Sequence, residues 1–264
     1  MIFIYLWMAT QIILEMLPIS SSSHLLVFEK LVKRYFSCDI AKFFAQRNLT
    51  LKTIYYYLHV PTLIIVLLYF SSSWWSFIFH DQIIDFRPLI WIAIADSITL
   101  LFYLSMQYYH YTFTLRFGLL ISAVALFSTI WCFGNKSIEL WYYSDAFILG
   151  CAQGIALLPG ISRLAFTCAV GCWLGFSLTD AFSISWLIQV PLMGAASLKS
   201  ILDLWQARRL NEVLNLPISL VMLISGSISY IAFLMVVYMI KMQIFYLWGW
   251  YMVLLFLIWG WLKD

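Results

Sequence analysis

Apolar residues fall in runs long enough to cross a bilayer at 54–70, 88–109, 112–133, 216–240 and 244–262, each bounded by charged or turn-forming residues. These five runs predict full transmembrane helices. Three further stretches, 1–29, 145–176 and 180–202, are apolar but interrupted by Pro, Gly and Ser, and the first two also hold charge or imidazole. Irregular backbone at membrane depth survives only where protein or a water-filled cavity covers the freed amides and carbonyls. The first two therefore read as re-entrant helix-loop-helix elements, over about residues 1–36 and 145–176, and the third as a full span with Pro191 as a kink point.

The two broken elements resemble each other. One reads Gln11-Ile-Ile-Leu-Glu15-Met-Leu-Pro18-Ile-Ser20-Ser21, the other Gln153-Gly-Ile-Ala-Leu-Leu-Pro159-Gly-Ile-Ser162-Arg163. Matching broken helices in the two halves of a chain point to an inverted repeat. The fold class is thus all-α: a polytopic transmembrane helical protein with two re-entrant elements related by an inverted repeat, in a single membrane domain of residues 1–264.

Composition agrees and excludes other classes. Hydrophobic residues make up 64% and charged residues 10%, with a mean hydropathy of +0.93, against about 25% charged in a soluble domain. A net charge of +3 without a basic stripe gives no ground for a nucleic-acid partner. The cluster Lys30, Lys33, Arg34, Lys42, Arg47 and Lys52, interleaved with Glu29 and Asp39, reads as a solvated or headgroup-facing segment. Outside it the loops carry too few charges to orient the chain by the positive-inside rule. Cys38, Cys132, Cys151, Cys168 and Cys172 lack metal-ligand spacing and are assigned no chemistry. The first ten residues lack the basic n-region of a signal peptide and are expected to stay in the mature protein.

The chemistry gathers at the two breaks. Pro18 and Pro159 end the incoming half-helices, and the serines after them suit the start of outgoing ones. A helix start carries unpaired N–H groups and about half a positive charge, so it attracts anions. Two such starts facing one another would hold a diphosphate with few cationic side chains. Gln11 and Glu15, four apart, share one helical face, and Ser21 and His24, three apart, share another. A hydroxyl beside an imidazole can be activated for attack on phosphorus, and Arg163 offers bidentate donors to a transferring phosphoryl group. Ionisable groups in membrane segments cost about 2.5–3.5 kcal/mol each on insertion scales and usually mark a site. Serine clusters in such helices often only pack closely or bond to carbonyls. Asp96 reads equally as functional or locally paired, and His59, His80 and His110 as interfacial residues near span ends.

The motifs Glu15-x-x-Pro18-Ile-Ser-Ser-x-x-His24 and Gln153-x-x-Ala-Leu-x-Pro159-Gly-x-Ser162-Arg163 are similar to the two signatures of the undecaprenyl-diphosphate phosphatase family, also known for bacitracin resistance. Ser185-Trp-Leu-Ile-Gln-Val-Pro191 resembles a third family segment. The resemblance implies a multi-pass enzyme of the bacterial inner membrane, its site open to the outer side. The implied reaction releases inorganic phosphate from undecaprenyl diphosphate, recycling the carrier lipid for peptidoglycan synthesis. Carried over by position, Glu15, Ser21, His24 and Arg163 are the catalytic candidates. Gln11, Ser20, Ser22, Gln153, Ser162 and Thr167 are the substrate-binding ones. The family requires a divalent cation, magnesium or calcium, and Glu15 is the candidate ligand.

Departures from the pattern are Ser22-Ser23 in place of Thr-Gly, Leu164-Ala165 in place of Ser-Gly, His59 in place of Gln, and Tyr251-Met252 in place of Tyr-Arg. Ser21 and His24 both stand as possible nucleophiles. A lipid-phosphate transporter, or a weakened relative serving as a binding subunit, are the other readings. The expected partners are the lipid substrate and the bilayer, with a homodimer left open.

Overall fold

The computed structural model describes residues 1–36, 38–47, 49–80, 83–109 and 113–263. Along the chain run α1 (Ile2–Glu15), α2 (Ser21–Phe36), α3 (Ile40–Ala45), α4 (Leu51–Tyr57), α5 (His59–Ile78), α6 (Arg87–Tyr109) and α7 (Leu115–Ser128). They are followed by α8 (Tyr143–Ile155), α9 (Arg163–Trp173), α10 (Leu178–Gln206), α11 (Leu210–Val213), α12 (Leu216–Lys241) and α13 (Trp248–Lys263). Beyond helices, the described residues hold one short antiparallel ribbon, Phe79–His80 with Ile83–Ile84, between α5 and α6. The side chain of His80, His110 and the Thr112 start of the third expected span lie outside the described residues.

Among the described residues four helices are long and apolar enough to cross a membrane: Leu51–Ile78, Arg87–Tyr109, Leu178–Gln206 and Leu216–Lys241. α10 continues through Pro191. The other two expected spans are shorter, Leu115–Trp131 and Phe245–Gly260. Each contains a 3-10 turn, after α7 at Thr129–Trp131 and before α13 at Phe245–Leu247. A 3-10 turn rises about 2.0 Å per residue against 1.5 Å in an α-helix. The 14 residues of α7 and the 3 that follow thus reach about 27 Å. That is close to the roughly 30 Å of a hydrocarbon core.

α1, α2, α8 and α9 have 14, 16, 13 and 11 residues. At about 1.5 Å per residue none spans the core alone. α1 packs on α2, and α8 on α9, so each expected re-entrant element is a hairpin of short helices.

The chain divides into two compact units. The first comprises Met1–Leu17, Ser21–Val66 and Val190–Leu234. Its core holds Trp7, Met8, Ile12, Ile54, Leu58 and Leu204, and Ser229 of α12 donates to the Ile12 carbonyl at 2.9 Å. Ser197 and Ser200 of α10 donate to the carbonyls of Tyr56 and Thr53. Lipid is as apolar as leucine, so helix association here rests on close packing and such hydrogen bonds. Leu223, Ile224 and Ile231 accordingly stand on the outside.

The second unit comprises Pro18–Ser20, Leu67–Gln189 and Met235–Asp264. α6 packs on α8 through Gly150, where a Cβ would come within 2.7 Å of the Ala95 carbonyl. α7 packs on α9 and α13. Cys132 and Cys172, assigned no chemistry from sequence, are joined here as a disulfide. Lys136, in the loop after Cys132, pairs with Asp145 of α8.

Gly118 of α7 lies against the second break. A Cβ there would stand 2.1 Å from the Pro159 carbonyl oxygen and 2.7 Å from Gly160 Cα. Gly160 itself has φ +91, which a side chain would strain. Both contacts are with backbone, which cannot swing aside as a side chain does. Gly118→Ala is expected to cost about 1–3 kcal/mol, read as a lower midpoint of thermal unfolding in detergent, with Gly194→Ala, whose Cβ would meet only Leu63 Cδ2 at 3.9 Å, as the tolerated control.

Candidate active site

In the first unit α1 ends at Glu15, where Met16 and Leu17 fold back onto the carbonyls of Ile13 and Leu14. Pro18, lacking an N–H, cannot prolong the helix, and α2 opens at Ser21. The Glu15 side chain is only 7% exposed. Burying a carboxylate costs heavily unless donors surround it, and here they do. Oε2 accepts from Gln11 Nε2 at 2.9 Å and from Ser21 Oγ at 2.8 Å. Oε1 lies 3.6 Å from His59 Nδ1.

His59 is the residue that sequence reasoning missed. The expected interfacial histidine is 2% exposed, at the start of α5, with the Tyr55 ring edge-on at 5.0 Å and Tyr56 at 6.2 Å. Its place near a span end argued for the interface. The counter-signal was its match to a family position that carries glutamine, another side chain with a donor.

Around the same break Ser20 and Ser23 are buried, Ser21 and His24 half-buried, and Ser22 exposed. The proton of the Ser21 hydroxyl is directed at Glu15. A carboxylate accepting from a serine, and flanked by an imidazole, has the form of a nucleophile with its base.

In the second unit the break is held by backbone and hydroxyl partners. Ser162 N donates to Ser122 Oγ at 2.8 Å, and Ser122 Oγ donates to the Gly160 carbonyl at 3.1 Å. Ser162 Oγ caps α9 by accepting from Ala165 N, and Thr167 Oγ1 donates to the Arg163 carbonyl at 2.7 Å. Arg163 is half-buried at the first turn of α9.

Gln153, fully buried on α8, donates to Asp96 Oδ1 at 3.1 Å, Thr99 Oγ1 at 3.2 Å and the Ile188 carbonyl at 3.3 Å. Asp96, which sequence left open between site and local pair, thus has a partner in Gln153.

Among the described residues no three His, Cys, Asp or Glu side chains cluster to cage a metal. The oxygen donors that suit a hard cation are the Glu15 carboxylate and Gln11 Oε1, a buried acceptor with no hydrogen-bond partner among the described residues. Magnesium commonly takes one or two carboxylates and completes its shell with water and substrate phosphate. The residues at the first break fit that pattern.

A membrane protein of bundled helices with proline-broken hairpins, one carrying a serine–carboxylate pair, is the class these features define. The chain belongs to the family described as bacitracin resistance protein BacA, matched over residues 8–258. It is 29% identical over 200 residues to the undecaprenyl-diphosphatase of Elusimicrobium minutum, covering 72% of each chain. It is 30% identical over 194 residues to that of Halothermothrix orenii, covering 72% of this chain and 70% of the relative. With undecaprenyl-diphosphatase 2 of Stutzerimonas stutzeri the identity is 29% over 232 residues, covering 76% and 79%.

The place of His59 against Glu15 yields a prediction with two variants. His59→Leu replaces the imidazole 3.6 Å from the buried Glu15 carboxylate with a wholly apolar group, a loss of about 1–3 kcal/mol for an under-satisfied buried polar group, or roughly 5–100-fold in turnover. His59→Gln keeps a donor and is expected to retain most activity. Steady-state kinetics of both, with thermal unfolding to confirm folding, checks the pair.

Proposed function

We propose that this protein hydrolyses undecaprenyl diphosphate to undecaprenyl phosphate and inorganic phosphate, in the bacterial plasma membrane, with its site open to the outer face. The observation that carries the reading is the 2.8 Å hydrogen bond from Ser21 Oγ to buried Glu15 beside the Pro18 break. Membership of the bacitracin resistance family and likeness to the undecaprenyl-diphosphatases support it.

In this scheme Ser21 Oγ attacks the terminal phosphorus and Glu15 takes the hydroxyl proton. The bond to the bridging oxygen breaks, and undecaprenyl phosphate leaves. Water then attacks the phosphoserine and releases inorganic phosphate. The bond from Ser21 to Glu15 favours serine over His24 as the nucleophile, and His24 acts as the proton donor and acceptor of the outgoing helix. Gln11 and His59 hold Glu15 in position.

Arg163 neutralises phosphoryl oxygens, and the backbone amides at the helix starts add donors. Ser20, Ser22, Ser162, Thr167 and Gln153 belong to the substrate-binding set, Ser162 and Thr167 acting through the shape of the α9 start that they bond. A divalent cation, magnesium or calcium, would be held by Glu15 and Gln11 Oε1 with substrate oxygens. When bound it would withdraw charge from the phosphoryl group.

Release of phosphate from a polyprenyl diphosphate by the detergent-purified protein tests the reading. Ser21→Ala is expected to lower the rate by about 10³-fold or more, and Glu15→Gln by about 10²–10⁴-fold. Chelator should abolish phosphate release, and added magnesium or calcium should restore it. Labelled substrate should leave its phosphate on Ser21 after acid quench. Full activity of Ser21→Ala would sink the nucleophile, and transfer of lipid between leaflets without phosphate release would sink the enzyme.

A further inference from the structure

A cavity of about 250 Å³ lies within the second unit, between the later turns of α5, the first turns of α10 and the last turn of α12. None of the residues assigned to the active site lines it. Its walls are aromatic and fixed. Phe70, Trp74 and Phe182 are buried, the Phe70 and Trp74 rings stack at 4.9 Å and 7°, and the Phe182 ring stands 6.2 Å from Phe70. Trp74 Nε1 donates to Ser183 Oγ at 3.2 Å, which pins the indole against α10.

Two opposite charges line this cavity without meeting. Asp180, half-buried in the first turn of α10, accepts from Ser177 Oγ at 2.6 Å through Oδ2, while its own N–H donates to Ser177 Oγ at 3.1 Å. That capping pair accounts for one carboxylate oxygen. Oδ1 has no hydrogen-bond partner among the described residues. Lys241, the last residue of α12, forms no ion pair or hydrogen bond through its ammonium among the described residues. Groups of opposite charge that share a cavity but not a bond complement a ligand carrying both charges.

Size and place narrow that ligand. Drug-sized molecules occupy about 300–1,000 Å³, so this smaller space suits a headgroup. α10 and α12 are each long and apolar enough to cross a membrane. Asp180 and Lys241, at their ends, therefore fall at headgroup level, where aromatic rings also gather. Leu68, next to Tyr69, and Tyr238, next to Val237, are exposed and offer acyl chains an apolar surface beside the lining residues.

We propose that this cavity binds the headgroup of a phospholipid bearing a primary ammonium, a phosphatidylethanolamine. Lys241 pairs with the lipid phosphate, and the lipid ammonium donates to Asp180 Oδ1 and to the Ser73 hydroxyl oxygen. A primary ammonium has three protons to give, and these oxygens receive them. The quaternary ammonium of phosphatidylcholine has none and would rest on the rings alone. Phosphatidylglycerol would satisfy Lys241 and leave Asp180 without a cation. The bound lipid ties the start of α10 to the end of α12.

The test adds dioleoyl phosphatidylethanolamine, phosphatidylcholine or phosphatidylglycerol to the full chain in detergent and reads the lipid retained by native mass spectrometry. The wild-type protein is expected to hold phosphatidylethanolamine about 10-fold more tightly than either of the others. Asp180→Asn, which keeps an acceptor for Ser177, and Lys241→Gln should each weaken that binding by about 10-fold, and Lys241→Arg should preserve it. Thermal unfolding without added lipid identifies the variants that are folded. Equal retention of the three lipids by the wild type, a readout that needs no variant, would overturn the proposal. Unchanged retention by folded Asp180→Asn or folded Lys241→Gln would do the same.

Discussion

A polypeptide that turns back inside a membrane must satisfy the backbone groups its turn exposes, because hydrocarbon offers no water to bond them. The second break of this chain meets the same need from its own turn and from a neighbouring helix. At the second, Leu157 and Leu158 bond to carbonyls of Gly154 and Ile155, Ile161 bonds to Leu158, and the Ser122 hydroxyl serves both Ser162 N and the Gly160 carbonyl. Ser122 comes from α7, a neighbouring helix, and Gly118 one turn earlier lets the break approach α7 closely enough to be reached. The turn, the glycine and the serine are thus one device, and the Arg163 end of α9 depends on it.

At the first break the same problem is coupled to a charge. Glu15 occupies the last position of α1, where a negative group meets the partly negative end of the helix dipole. Nothing in local helix physics favours it there. It is held by Gln11 from its own helix and by Ser21 from the next, with the His59 imidazole of α5 3.6 Å away.

Much of this was legible in the sequence. Proline-broken segments, the shortness of their helices and the apolar runs follow from composition and periodicity, and Gln11 does bond to Glu15 as a spacing of four predicts. Three features were hidden. His59 sits near a span end, where imidazole commonly meets water, and only packing against Tyr55 and Tyr56 reveals it as buried. The Cys132–Cys172 bond joins positions forty residues apart, beyond any local pattern. Ser122 is one hydroxyl in an apolar helix, and its role exists only when the second break is beside it. Two expected spans proved shorter, each made of an α-helix and an adjoining 3-10 turn, a division that apolar runs do not encode.

The two hairpins share one motif and put it to different uses. In each, a fully buried glutamine on the incoming helix donates its amide to a carboxylate, Gln11 to Glu15 and Gln153 to Asp96, and in each the amide oxygen has no hydrogen-bond partner among the described residues. An amide bonded to a carboxylate must present its NH₂ to it, so the orientation of both side chains follows from chemistry. The carboxylate, however, comes from different places. Glu15 lies on the hairpin itself, one turn after Gln11, and so moves with the break and with Ser21. Asp96 lies on α6 and ties Gln153 to a neighbouring helix, together with Thr99 and the Ile188 carbonyl. A group that accepts a proton must stay next to the nucleophile, whereas a group that anchors a hairpin must belong to something else. On the proposed reading that difference puts proton transfer at the first break, while Asp96 anchors Gln153 at the second.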